Sequence, residues 1–156
     1  MKSENPDMKN ASAIHLLHRA GQCADELFAT NIGTSDLTPR QFAVLRALEE
    51  SDEPSQAMLV EKTGIDRSTM ADIIRRLVAR SLVSRRRTRR DARMYAVRLT
   101  DKGRLVLTSS EPAVRMTDER ILTALPQAQR DQFLRSLTRI IDSLGQTQKT
   151  TPLPNK

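Results

Sequence analysis

Aromatic side chains are nearly missing from this sequence. Its 156 residues hold three phenylalanines, one tyrosine and no tryptophan, so a core must be built from Leu, Ile, Val, Ala and Met. Cysteine occurs once, as Cys23, which excludes an intrachain disulfide and fits a reducing compartment. Five glycines in all provide no glycine-rich cradle for a nucleotide. CxxC, HExxH and the Gly-x-Ser-x-Gly elbow are absent as well. No acid–base or nucleophilic constellation is visible, so neither an enzyme, a cofactor nor a metal is expected. No apolar run is long enough to span a bilayer, and the polar opening MKSENPDMKN supplies no secretory h-region. A cytoplasmic protein of one domain with added helices is the expectation.

Charge is what the chain has in excess, and it is local. Residues 84–104, SRRRTRRDARMYAVRLTDKGR, carry eight arginines and one lysine against Asp91 and Asp101. That balance of +7 equals the net charge of the whole chain, so everything outside the window sums to zero. Five arginines in the six residues from Arg85 to Arg90 repel one another unless an anion lies among them. A polyanionic partner, nucleic acid before anionic lipid, is implied.

Apolar periodicity organises the remainder. Leu16, Ala20, Cys23 and Leu27 form one stripe, and Ile14, Leu17, Ala24 and Phe28 a second, on a helix from Ala11 to Thr30 that is gripped from two sides. A loop follows from Asn31 to Leu37. Thr38-Pro39-Arg40-Gln41 reads as a capping box with proline at the first helical position, opening a helix whose buried face is Phe42, Val44, Leu45 and Leu48. Ser55 caps a short helix, Gln56 to Thr63, which Gly64 breaks. Asp66 caps a third helix to about Arg80, with Met70, Ile73, Ile74 and Leu77 inward. Helix, turn, helix is the DNA-binding outline, and alone it is common.

The next residues strengthen it. Leu82 to Arg85 reads as a strand and Thr88 to Asp91 as a turn. Tyr95, Val97 and Leu99, alternating with Met94, Ala96 and Arg98, read as a half-buried strand. The arginine run is then the tip of a β-hairpin, a wing. Thr100 and Asp101 start a helix that must negotiate Pro112. Pro126 opens a last helix striped by Phe133, Leu134, Leu137, Ile140, Ile141 and Leu144. The fold class is mainly α: a winged helix-turn-helix at 37–100, flanked by helices at 11–36 and 101–145 that can pair with a second copy. Residues 1–10 and 146–156 are expected to be flexible ends.

Candidate site residues follow from this layout. Arg85, Arg86, Arg87, Arg89, Arg90, Asp91 and Arg93 belong to the wing, where arginines lie along phosphates and reach the minor groove. On the helix 66–80, Arg67, Ser68, Thr69 and Asp72 face base edges while Arg75 and Arg76 hold phosphates. Asp72 can accept from a cytosine amine or orient a neighbouring arginine. Gln56, at a helix start, is a weaker phosphate candidate. His15 and His18 share a face with Arg19 and can bind a small acid or sense pH. A metal there lacks a third ligand. Cys23 is read either as a thiol sensor or as a small core residue.

Three segments together, LTPRQFAVLRAL (37–48), TGIDRSTMADIIRRLVARSLVSR (63–85) and DARMYAVRLTDKGR (91–104), resemble the MarR family of bacterial transcriptional regulators over about residues 11–145. The resemblance implies a homodimer with intertwined terminal helices and one winged lobe per half of a palindrome. It implies repression relieved by a small phenolic or aromatic acid held between lobe and dimer helices. A pocket drawing on His15, His18, Arg19 and Phe42 offers donors that suit a carboxylate or phenolate, so an aromatic or N-heteroaromatic acid is the expected effector. It places Asp91 as the brace of the wing, Arg93 in the minor groove, and Ser68, Thr69 and Asp72 on bases. The arginine density of the wing exceeds the family pattern, and the tyrosines that partner a first-helix thiol in redox-sensing members are absent. A redox repressor using Cys23, and a structural or RNA-binding winged-helix module without an operator, are the alternatives.

Overall fold

The computed structural model describes residues 12–87 and 95–150. Six helices and a two-stranded antiparallel sheet are described, in the order α1 (Ala13–Ile32), a 3₁₀ turn (Gly33–Ser35), α2 (Pro39–Glu49), α3 (Gln56–Thr63), α4 (Arg67–Ala79), β1 (Val83–Arg87), β2 (Tyr95–Leu99), α5 (Asp101–Leu122) and α6 (Gln127–Thr150). The expectations for residues 1–10, the Thr88–Asp91 turn, Met94 and residues 151–156 lie outside the described residues.

The helix starts are chemical, as the sequence indicates. The Thr38 hydroxyl accepts from the Gln41 amide at 3.2 Å, and the Thr38 amide donates to Gln41 Oε1 at 3.1 Å. Ser55 Oγ accepts from the Met58 amide at 3.2 Å, and Gly64 ends α3 with φ 70°. Each pairing satisfies a first-turn donor that the helix cannot. The buried cluster is the lobe itself: Leu37, Val44, Leu45, Leu48, Leu59, Met70, Ile73, Ile74, Leu77, Leu82, Val83 and Val97, closed by Leu107 of α5.

Four local expectations are corrected. The first helix does not give way to a loop at Asn31. It continues to Ile32, because Asn31 Nδ2 donates to Thr117 Oγ1 on α5 at 3.0 Å and the break falls at Gly33, with φ 61°. Nor is α1 held from two sides within one subunit. It packs along α5, and Phe28 is its only buried residue. In β2 the simple alternation fails: Ala96 is buried beside Val97, and Tyr95 is half exposed. The reason is a third partner, since Ser55 bridges to Ala96 and the Val97 amide donates to the Pro54 carbonyl at 3.0 Å. Finally, the helical backbone of α6 runs to Thr150 rather than ending at Gln146. Pro152 is the first residue after Pro126 that lacks a backbone donor, so nothing in 146–150 interrupts the ladder. Pro112 lies within a continuous α5.

The junction between α4, the sheet and α5 is dense. The Leu82 amide bonds to the Leu77 carbonyl and the Ser81 amide to the Val78 carbonyl, both at 2.9 Å. This is a Schellman close, with Ser81 at φ 60° in the position glycine usually takes. The next three carbonyls are all claimed: Arg80 O by Lys102 Nζ at 3.0 Å, Ser81 O by Thr100 Oγ1 at 2.7 Å, and Leu82 O by the Thr100 amide at 3.1 Å. The Arg80 guanidinium in turn donates to Ser35 O at 2.7 Å and Asp36 O at 3.1 Å. Arg80 thus fastens the end of α4 to the segment after α1, a tie that periodicity does not signal.

Candidate nucleic-acid interface

Helix α4 presents a clean division. Met70, Ile73, Ile74 and Leu77 are buried, while Arg67, Ser68, Arg75 and Arg76 are exposed and Thr69 and Asp72 are half-buried. Asp66 caps its start, accepting from the Thr69 amide at 2.9 Å. Hydrogen bonding from Thr69, side chain first and then backbone, lowers the Asp66 pKa. On the exposed face, Asp72 Oδ2 accepts from Arg76 Nε at 2.7 Å, and Asp72 Oδ1 accepts from Arg75 Nη2. The Arg75 bond, followed by that of Arg76, lowers the Asp72 pKa, so this carboxylate is ionised at neutral pH. The predicted helix residues therefore share one solvent-facing surface.

The wing strands pair in the register Val83↔Leu99 to Arg87↔Tyr95. Arg85, Arg86 and Arg87 are exposed, and the Arg87 guanidinium lies 5.9 Å from the centre of the Tyr95 ring. Arg98 on the other strand is paired with Glu53 at 3.1 Å. Arg89, Arg90, Asp91 and Arg93 lie outside the described residues. Gln56 is the first residue of α3, half-buried beside the Ser55 cap.

The effector candidates are not gathered in one subunit. His15, His18 and Arg19 are exposed on the first half of α1. Phe42 lies on α2 against Phe28, with ring centres 6.4 Å apart. His18 precedes Phe28 by ten residues, about 15 Å along a helix. Phe42 instead sits under Arg46, whose guanidinium is 5.6 Å from the ring centre and 2.8 Å from Glu111 Oε1. Arg46 and Glu111 escaped the sequence reading because neither breaks a pattern in its own helix. Cys23 is exposed, so the core-residue reading fails for the single subunit. Among the described residues no group of three His, Cys, Asp or Glu side chains is placed to hold a metal, and no helix is long and apolar enough to cross a membrane.

A half-buried helix with a polar outer face, followed directly by an arginine-rich hairpin, defines a winged helix-turn-helix DNA-binding protein. Comparison with known proteins narrows the class. The MarR family model matches residues 35–94. The transcriptional repressor NicR of Pseudomonas putida is 34% identical over 129 residues, covering 83% of this chain and 82% of NicR. Among solved structures, BpsR of Bordetella bronchiseptica, whose DNA binding is regulated by 6-hydroxynicotinic acid, is 31% identical with TM-score 0.80, covering 88% of this chain and 99% of that one. PcaV of Streptomyces coelicolor, solved with its natural ligand, is 28% identical with TM-score 0.81, covering 91% and 99%. The chain belongs to the MarR family of transcriptional regulators.

Proposed function

We propose that this regulator is a ligand-responsive repressor which binds a palindromic operator as a homodimer and is released by a small aromatic or N-heteroaromatic acid. The observation that carries the dimer is α6. None of its residues 127–145 is buried, although Leu134, Ile140, Ile141 and Leu144 form an apolar stripe left open to solvent. Ile14, Leu16 and Leu17 on α1 are equally open. Burying each of these seven in a second copy is worth on the order of 1 kcal/mol, enough to hold two subunits together. The dimer then presents two copies of α4 and two wings, as a two-fold symmetric duplex requires.

Phosphate neutralisation dominates the binding in this reading, with Arg75, Arg76 and the wing arginines Arg85–Arg87, Arg89, Arg90 and Arg93 on the backbone, Asp91 bracing the wing, and Arg67, Ser68, Thr69 and Asp72 toward the bases. About six to ten phosphate contacts per dimer make affinity fall roughly 10³- to 10⁵-fold between 50 and 200 mM salt. Arginine and histidine donors suit a carboxylate, and the similarity to NicR and BpsR supports an N-heteroaromatic acid. Because Phe42 packs on Phe28, about 15 Å along α1 from His18, a site using His15, His18, Arg19 and Phe42 together is one shared between subunits.

Footprinting on a duplex selected by the protein, with and without 6-hydroxynicotinic acid, tests the proposal. A protected palindrome that the acid releases is expected. Diffuse coating of the duplex, or protection indifferent to salt, overturns it. Protection indifferent to that acid and to related aromatic acids removes the effector class. Calorimetry on His15→Ala and His18→Ala then checks the site, since unchanged effector affinity takes the histidines out of it.

A further inference from the structure

Resting on the reading of α4 as the DNA-facing helix, we propose that Asp72 is a specificity-determining residue which acts through Arg75 and Arg76, holding back their affinity for any duplex so that sequence decides binding. The geometry is a three-body clamp on the exposed face. One carboxylate oxygen takes Arg76 Nε at 2.7 Å, and the other takes Arg75 Nη2. Both guanidiniums are well exposed, at 75% and 66%, while the carboxylate between them is half as open, at 37%. An acid in the middle of a surface meant for a polyanion opposes binding by charge alone. Its presence needs a return that phosphate contact cannot give.

The return lies in the lone pairs that remain. Each carboxylate oxygen offers two, and each has spent one on an arginine. The free pairs suit an exocyclic amine donor, on cytosine or adenine, and repel acceptor edges such as guanine O6 and N7 or thymine O4. Meanwhile the two guanidiniums are held to one spot on the helix, by residues three and four positions beyond Asp72, about one turn along α4. Against an amine-bearing base the clamp stays satisfied. Against an acceptor edge those lone pairs become a repulsive contact in the groove, which the two guanidiniums, each with donors left for phosphate, only partly offset. Asp72 therefore lowers affinity for arbitrary sequence more than for the correct one.

The test compares wild type with Asp72→Asn and Asp72→Glu on two probes: the duplex that wild type selects from a random-sequence pool, and an unrelated duplex of equal length. For Asp72→Asn, affinity for the unrelated duplex is expected to rise about tenfold, with the slope of log K against log salt steeper by about one per subunit. The ratio of selected to unrelated affinity should fall at least tenfold, and repeated selection should show degeneracy at the position facing residue 72. Asp72→Glu, which keeps the charge, should keep the unrelated-duplex salt slope. A wild type that binds duplex in a salt-dependent manner while Asp72→Asn keeps both ratio and slope overturns this inference alone. A wild type that binds no duplex overturns the DNA reading of α4 and the inference with it.

Discussion

Replacing Gly103 with alanine should be among the most damaging single-methyl changes available to this fold. Gly103 is in the first turn of α5, and a Cβ there would lie 2.0 Å from the Leu82 carbonyl oxygen and 3.2 Å from Leu99 Cδ2. Ordinary contact begins near 3.4 Å, so α5 and the Leu82 peptide must part by about 1.4 Å, the difference between the two distances. The obstacle is backbone and cannot rotate away. Parting strains three bonds together: Thr100 amide to Leu82 O, Thr100 Oγ1 to Ser81 O, and Lys102 Nζ to Arg80 O. Each contributes about 1 kcal/mol, overpacking costs about 1–3 kcal/mol, and alanine's better helix propensity returns at most about 1 kcal/mol. A net loss of roughly 3–5 kcal/mol is expected, or about 6–20 °C in Tm for a chain of this size. Urea unfolding followed by circular dichroism at fixed protomer concentration measures it. A variant within about 0.5 kcal/mol of wild type would refute the close approach of α5 to the end of α4.

Three further outcomes are expected. Ser81→Gly should stabilise the protein by about 1 kcal/mol in the same assay, because Ser81 sits at φ 60° where an L side chain is strained. Asp66 has a depressed pKa in the folded state, so its contribution is present above the ordinary aspartate value of about 4 and is lost as pH falls through the lower folded value. Asp66→Asn, which still caps, should therefore flatten stability against pH below about pH 4, and an unchanged acid limb would count against the cap. Ile141→Asp on the open stripe of α6 should yield monomers by light scattering at micromolar concentration while the lobe keeps its helical signal, and a persistent dimer would remove α6 from the interface.

The lobe was legible because its signals are local. Thr38, Ser55, Gly64 and Asp66 each mark an end through their own backbone chemistry, and Met70, Ile73, Ile74 and Leu77 mark a face by spacing. What escaped depends on partners distant in the chain. Asn31 stays helical through Thr117, 86 residues away. Ala96 is buried because Ser55 reaches it from another loop. By spacing Arg80 is one more surface cation at the end of α4, yet its donors go to Ser35 and Asp36. For the candidate site, the exposed α4 residues and Arg85–Arg87 could be read from periodicity and charge. The engagement of Asp72 with both arginines could be read only as one of two options, since i+3 and i+4 spacing permits the pairs without requiring them. The histidines and Phe42 share a chemistry but not a place within one subunit, and spacing along separate helices carries no information on that.

The fastening of α4 at Arg80 has a mechanical consequence. Thirteen residues of helix make a rod about 20 Å long, pinned at one end by carbonyls that α5 holds and by a guanidinium that grips the chain after α1. Its other end, the start that Asp66 caps, rests on the lobe core through Met70, so the tip moves only as the lobe moves. A tilt of about 10° of the lobe about the pin carries that tip by about 3.4 Å, the rise of one base along a strand, so a displacement too small to notice in the body becomes a whole step of register at the tip.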